Sequence, residues 1–145
     1  MMVTVERSVL VGYSAEQIYA LVAEIERYPE FLPWCEAVDV EMRAPAEVTA
    51  TIHLNYCGVR QQFTTRNSLI PPLLISMQLV RGPFSCLDGI WRFTALTEGA
   101  CKIEFRLNYL FASALLGKLV GPVFNHIAST FVGAFVQRAE ALYGK

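Results

Sequence analysis

Between Phe111 and Val136 the chain carries a single formal charge, Lys118. Its apolar residues there (Leu115, Leu116, Leu119, Val120, Val123, Phe124, Ile127, Phe131, Val132, Phe135 and Val136) exceed one helical stripe. A surface helix normally shows one apolar stripe and one polar face, so this segment needs cover on more than one side. A bilayer, a core closed around it, or an apolar cavity holding a greasy ligand would each serve. Its length suits a bilayer span of about 20 residues. Against a span stand Lys118, Asn125 and His126, with Ser113, Ser129 and Thr130 adding polarity. Gly121-Pro122 falls near the middle, where Pro122 removes the bond to the Lys118 carbonyl and favours a kink. The pattern predicts one long helix over roughly 113–142, lying on a sheet.

Upstream the period is mostly two. Residues 3–11 alternate as a strand with Val3, Val5, Val9 and Val11 on one face. Ser14, with Gln17 three residues on, has the form of a capping box, and Ile18, Leu21, Val22 and Ile25 follow at helical spacing. A short helix over 15–26 is expected. Two prolines and three aromatics in Tyr28-Pro29-Glu30-Phe31-Leu32-Pro33-Trp34 then end it and suit an apolar lid.

From 36 to 110 alternation returns. Val38, Val40 and Met42 oppose Asp39, Glu41 and Arg43. Val48, Ala50, Ile52, Leu54 and Tyr56 oppose Glu47, Thr49, Thr51, His53 and Asn55. Cys101, Ile103, Phe105, Leu107 and Tyr109 oppose Lys102, Glu104, Arg106 and Asn108. One wet and one dry face is the mark of an antiparallel sheet. Turn signals at Pro45, Cys57-Gly58, Pro71-Pro72, Gly82-Pro83 and Glu98-Gly99 divide the region into about six strands of a meander. The dry face needs a cover, and a curved sheet around one helix leaves a concave apolar space suited to a small ligand.

Composition sharpens this. The 145 residues fit a single domain over 1–145, and 54% of them are hydrophobic, with a mean hydropathy of +0.37. That exceeds the usual soluble range of about 45–50% and favours a chain that buries or binds apolar surface. A net charge of −1 gives no global pull toward nucleic acid, and no DNA partner is expected. No basic segment followed by an apolar run opens the chain. The four cysteines (Cys35, Cys57, Cys86, Cys101) form no C-x-x-C pair, which argues against zinc and predicts buried, reduced thiols in the cytoplasm.

Five motifs carry a family resemblance across nearly the whole chain. They are Tyr13-Ser14-Ala15-Glu16-Gln17, Tyr28-Pro29-Glu30-Phe31-Leu32-Pro33-Trp34-Cys35, Phe63-Thr64-Thr65-Arg66-Asn67, Gly82-Pro83-Phe84 with Gly89-Ile90-Trp91-Arg92-Phe93, and Cys101-Lys102-Ile103-Glu104-Phe105. In this order they resemble the START-like, helix-grip family, in the branch of bacterial ribosome-association toxins and mitochondrial coenzyme Q-binding proteins. The resemblance implies an α+β fold, a curved antiparallel sheet wrapped around a long C-terminal helix. It also implies a cavity under that helix for a hydrophobic molecule, typically a polyprenyl quinone such as ubiquinone, and no required cofactor. The function it implies is a carrier or chaperone supporting respiration, placed in the cytoplasm or at the inner-membrane periphery, with transient contact at a membrane surface. The alternative is a toxin that binds the large ribosomal subunit and blocks subunit joining; a polyketide cyclase-like enzyme is the third. Arg81 replaces the acidic residue that precedes Gly-Pro-Phe in the toxins, while Trp34 is closer to the quinone-binding branch.

The residues set to line such a pocket are the aromatics Phe31, Trp34, Tyr56, Phe63, Phe84, Trp91, Phe105 and Phe131, with Leu119, Val123 and Ile127 from the helix. Phe93 shares the aromatic pattern. Flat rings and prenyl tails both call for such partners, although the same residues also build ordinary cores. If Phe63 faces inward, Gln61 and Thr65 do too, and can donate to quinone carbonyls or satisfy themselves on neighbouring backbone. His53 falls on a wet face and His126 has no partner assignable by spacing, so neither completes a nucleophile–base pair. Ribosome binding would draw on Arg60, Arg66 and Arg92, with Lys102 and Arg106 nearby, diluted by Glu47 and Glu104.

Overall fold

The alternating segments form strands and the long apolar segment forms one helix, as seen in a computed structural model that describes residues 2–144. In chain order the elements are β1 (Val3–Val11), α1 (Ala15–Ala23), a 3-10 turn (Ile25–Glu30), β2 (Cys35–Ala44), β3 (Glu47–Tyr56) and β4 (Val59–Ile70). Then follow β5 (Leu74–Arg81), β6 (Phe84–Thr97), β7 (Ala100–Phe111) and α2 (Ala114–Tyr143). The seven strands form one antiparallel sheet in the order β1-β7-β6-β5-β4-β3-β2. Strands β2 to β7 are thus an uninterrupted meander, and β1 closes against the far edge of β7. All five turn signals fall between consecutive strands.

Register shifts in the β2–β3, β4–β5 and β6–β7 pairs mark bulges, and bulges bend and twist a strand. The sheet curves around α2. Ser14 caps α1 reciprocally, its Oγ accepting from the Gln17 amide while Gln17 Oε1 accepts from the Ser14 N–H. That helix ends at Ala23, three residues short of the sequence expectation. A proline disfavours helical geometry in the residue before it, and Ile25–Glu30, which contains Pro29, forms the tighter 3-10 turn.

Helix α2 runs unbroken through Pro122, which lies on its exposed side. At 1.5 Å per residue it is about 45 Å long. Val120, Phe124, Ile127, Ala128, Val132, Phe135 and Ala139 recur every three or four residues and are buried against the sheet. Length and composition alone would let this helix cross a membrane: its most apolar 18-residue window has a mean hydropathy of 1.5, with a third of it buried here. The expectation of cover on most sides therefore fails over the first turns, where Leu115 is 66% exposed.

The thiols also depart from expectation. Cys35 and Cys101 are buried, Cys86 is half-buried, and Cys57 is exposed at positive φ in the β3–β4 turn. Burial pushes the Cys35 thiol up to about 11 and also raises that of Cys101. On the outer face Thr51 and Thr64 are buried beneath Glu41, whose carboxylate accepts from Thr51 Oγ1 at 2.9 Å and pairs with Arg81.

Candidate ligand-binding cavity

Curvature separates the middle of the sheet from α2 and leaves a narrow cavity of about 50 Å³. The floor comes from β3 to β7: Ile52, Phe63, Thr65, Asn67, Met77, Leu87, Phe105 and Leu107. The roof is one face of α2, with Phe124, Ile127, Ala128 and Phe131 at successive three- and four-residue steps. Ile25 and Tyr28 from the 3-10 turn, with Trp34 just after it, close one end. The space is narrow and holds only a few water-sized bodies as it stands, so a larger ligand must move the flexible side chains at its walls.

One missing side chain lets two floor residues pack close to the strand. Gly89 occupies an inward position on β6 between Leu87 and Trp91, and the space a Cβ would take is filled by Met77 and Leu107. The lid is held down from above. Tyr28 donates to the Val22 carbonyl at 2.5 Å, Arg138 of α2 donates to Glu30 at 2.7 Å, and the Arg138 guanidinium sits 4.9 Å over the Phe31 ring. The hydrogen bond from Arg138, reinforced by Arg27, holds the Glu30 carboxyl below the usual carboxylate range.

Of the residues anticipated from sequence, Trp34, Phe63, Thr65, Phe105, Ile127 and Phe131 line the cavity. The others lie elsewhere for identifiable reasons. Trp91 is buried behind the wall, stacked with Phe93, tilted against Phe105 and edge-on to Phe135. Phe84 packs behind Phe63 and Phe124 of the cavity wall, in a cluster with Tyr109 and Phe111. Tyr56, the last residue of β3, stacks on His126 with 3° between the planes. Phe31 turns to Phe135 and Arg138. Gln61 borders a polar surface depression with Asp39, His53 and Arg60. Leu119 is 64% exposed because it sits about 100° around the helix from inward-facing Val120, and Val123 is half-buried on the flank.

Sequence reasoning missed Ile25, Tyr28, Ile52, Asn67, Met77, Leu87, Leu107 and Phe124 as lining residues. A signal for Asn67 was present, since it continues the inward series Phe63, Thr65. For Met77 and Leu87 none was, because only the sheet's curvature decides which rows of the dry face leave contact with α2.

The polar candidates are dispersed. His53 Nε2 lies 2.7 Å from Asp39 Oδ2 on the outer face, away from the cavity. Arg60 lies 3.7 Å from Glu36 and Arg66 3.7 Å from Glu47, both exposed pairs. Arg92 stands opposite Glu104, and Arg106 opposite Glu6, around another depression on β1, β7 and β6. Among the described residues no group of three or more His, Cys, Asp or Glu is disposed to hold a metal.

A curved seven-stranded sheet gripping a C-terminal helix over an apolar cavity defines a START-like, helix-grip protein. Solved structures share it: the ZhuI aromatase/cyclase of Streptomyces sp. R1128 superposes with a TM-score of 0.83 at 18% identity, covering 97% of this chain and 94% of that one. A START superfamily protein from Mycobacterium smegmatis gives 0.77 at 21% identity, covering 96% and 98%. Residues 11–136 match the polyketide cyclase / dehydrase and lipid transport family, and the chain belongs to it. It is 44% identical over 141 residues to the ribosome association toxin RatA of Vibrio cholerae, covering 97% of this chain and 98% of the relative. It is also 28% identical over 142 residues to the mitochondrial coenzyme Q-binding protein COQ10 homolog B of Xenopus laevis, covering 95% of this chain and 58% of the relative.

Proposed function

We propose that this chain binds one hydrophobic ligand, an isoprenoid quinone or a closely similar lipid, and acts as its carrier or chaperone. The carrying observation is the enclosed apolar cavity, walled by five strands, α2 and the lid. Close packing is the rule in interiors, and unfilled space forfeits dispersion contacts. An apolar cavity kept between sheet and helix is best understood as space for an occupant. The name of the frog relative, a coenzyme Q-binding protein, supports the quinone class. The role is binding and not catalysis: both histidines lie outside the cavity, and its polar side chains are a phenol, an indole, a hydroxyl and an amide. Exposed Leu115 and Leu119 beside Lys118 suit transient contact with a membrane surface during loading, from the cytoplasm. Extraction of natively purified protein followed by mass spectrometry tests the reading. A co-purifying isoprenoid quinone supports it; lipid-free protein that also refuses added quinones overturns it.

A second reading is favoured by the 44% identity to a ribosome association toxin over almost the whole chain. In it, the outer sheet face docks on the large ribosomal subunit and hinders subunit joining, with Arg60, Arg66 and Arg92 meeting RNA phosphates and Arg106 nearby. Co-sedimentation with large subunits, lost on reversing these charges, supports it; absence of co-sedimentation at low salt rejects it. The two readings use opposite faces of the sheet and are separable by mutation.

A further inference from the structure

Inside the cavity, one polar side chain is incompletely satisfied. Asn67 is only 8% exposed and lines the floor on β4. Its Oδ1 accepts from Thr65 Oγ1 at 2.9 Å, no hydrogen bond to its amide nitrogen is seen among the described residues, and that nitrogen keeps accessible surface, since no buried side-chain nitrogen or oxygen there lacks a partner. An amide has two N–H donors, and an occupant that covers them without matching them incurs a cost. The neighbours offer no remedy. Met77 stands directly opposite Asn67 in the β4–β5 register, and the rest of the wall is almost wholly hydrocarbon and aromatic.

We infer that Asn67, oriented by Thr65, is the head-group site of the cavity and selects ligands that carry a carbonyl or comparable acceptor oxygen. The inference rests on the proposed hydrophobic-ligand function and narrows its ligand class. Thr65 fixes the amide's rotation by occupying Oδ1, which presents nitrogen, not oxygen, to the occupant. The site therefore asks for an acceptor and discriminates against both pure hydrocarbons and ligands with only donors at that end. The tail lies along the apolar roof of α2.

A matched pair of probes tests this. Hexanophenone and hexylbenzene differ only by a carbonyl in place of a methylene, and their affinities are to be measured by calorimetry on the full chain. Because the ketone is also better solvated in water, the decisive quantity is the ratio of the two dissociation constants in each protein. Asn67→Leu, close to isosteric, should shift that ratio against the ketone by about fivefold or more, in keeping with the loss of one hydrogen bond. Hexylbenzene should bind the variant at least as well as the original. Thr65→Val should shift the ratio in the same direction by less, and it stands in if Asn67→Leu fails to fold. An unchanged ratio in these variants, with both probes still binding, overturns the head-group assignment and leaves hydrophobic binding standing. Failure of both probes to bind the unaltered protein overturns both.

Discussion

The terminal methyl of Met77 occupies the space that a side chain at Gly89 would need: a Cβ built on Gly89 would lie 2.5 Å from it. The glycine on β6 thus gives the tip of Met77 on β5 its place at the cavity floor. Gly89→Ala should push the Met77 tip into the cavity. Because methionine adapts readily, the fold should survive with a stability loss at the low end of the ~1–3 kcal/mol typical of overpacking. Affinity for long-tailed quinones should fall about tenfold, and adding Met77→Ala should restore it. Calorimetry on the three variants decides; unchanged affinity in Gly89→Ala would detach the cavity from binding.

Tail length should govern affinity. Each buried methylene contributes about 0.8 kcal/mol, so two buried isoprene units outweigh a head-group hydrogen bond of about 1 kcal/mol. Quenching of Trp34 and Trp91 across a quinone series should show affinity rising with tail length, then levelling off. Ala128 lies in the roof and is buried, so Ala128→Trp should weaken long-tailed quinones most. Equal affinity for tailless and long-tailed quinones would rule out a prenyl site.

The histidines should be dispensable for binding. His53 is engaged with Asp39 on the outer face, and His126 lies against Tyr56 at the surface. Alanine at either should leave quinone affinity within about threefold, a change under about 1 kcal/mol. A turnover activity abolished by either substitution would reinstate an enzyme.

Thiol labelling should follow burial. At pH 8 a thiol raised to about 11 is roughly one part in a thousand thiolate, so Cys35 should resist alkylation while exposed Cys57 reacts. Peptide mapping before and after denaturation reads this directly. The same shift predicts a pH effect. The unfolded thiol ionises near 9 and the folded one near 11, so the folded state holds more protons in between and stability falls as pH rises across that window. Denaturant titrations at pH 8 and pH 10.5 should show the decrease, and Cys35→Ala should reduce it.

How much of this was legible beforehand depends on the range of the interaction. Alternation in β3 and β7 revealed the dry face because side chains in a strand point to opposite faces whatever the partner. The capping residues Ser14 and Gln17 and the five turns were readable because their chemistry is local. Motifs named the family because they are spread along the whole chain. Which dry-face residues line the cavity was not readable. Phe84 and Phe105 look equivalent in sequence, yet one packs behind the cavity wall and the other faces the void. Strand bulges, the angle at which α2 crosses the sheet and the empty position at Gly89 decide that, and each depends on residues far apart in the chain. Asn67 shows the same division: its place on the inward face follows from the strand's period, but only the fold removes its partners and leaves a donor inside an apolar space.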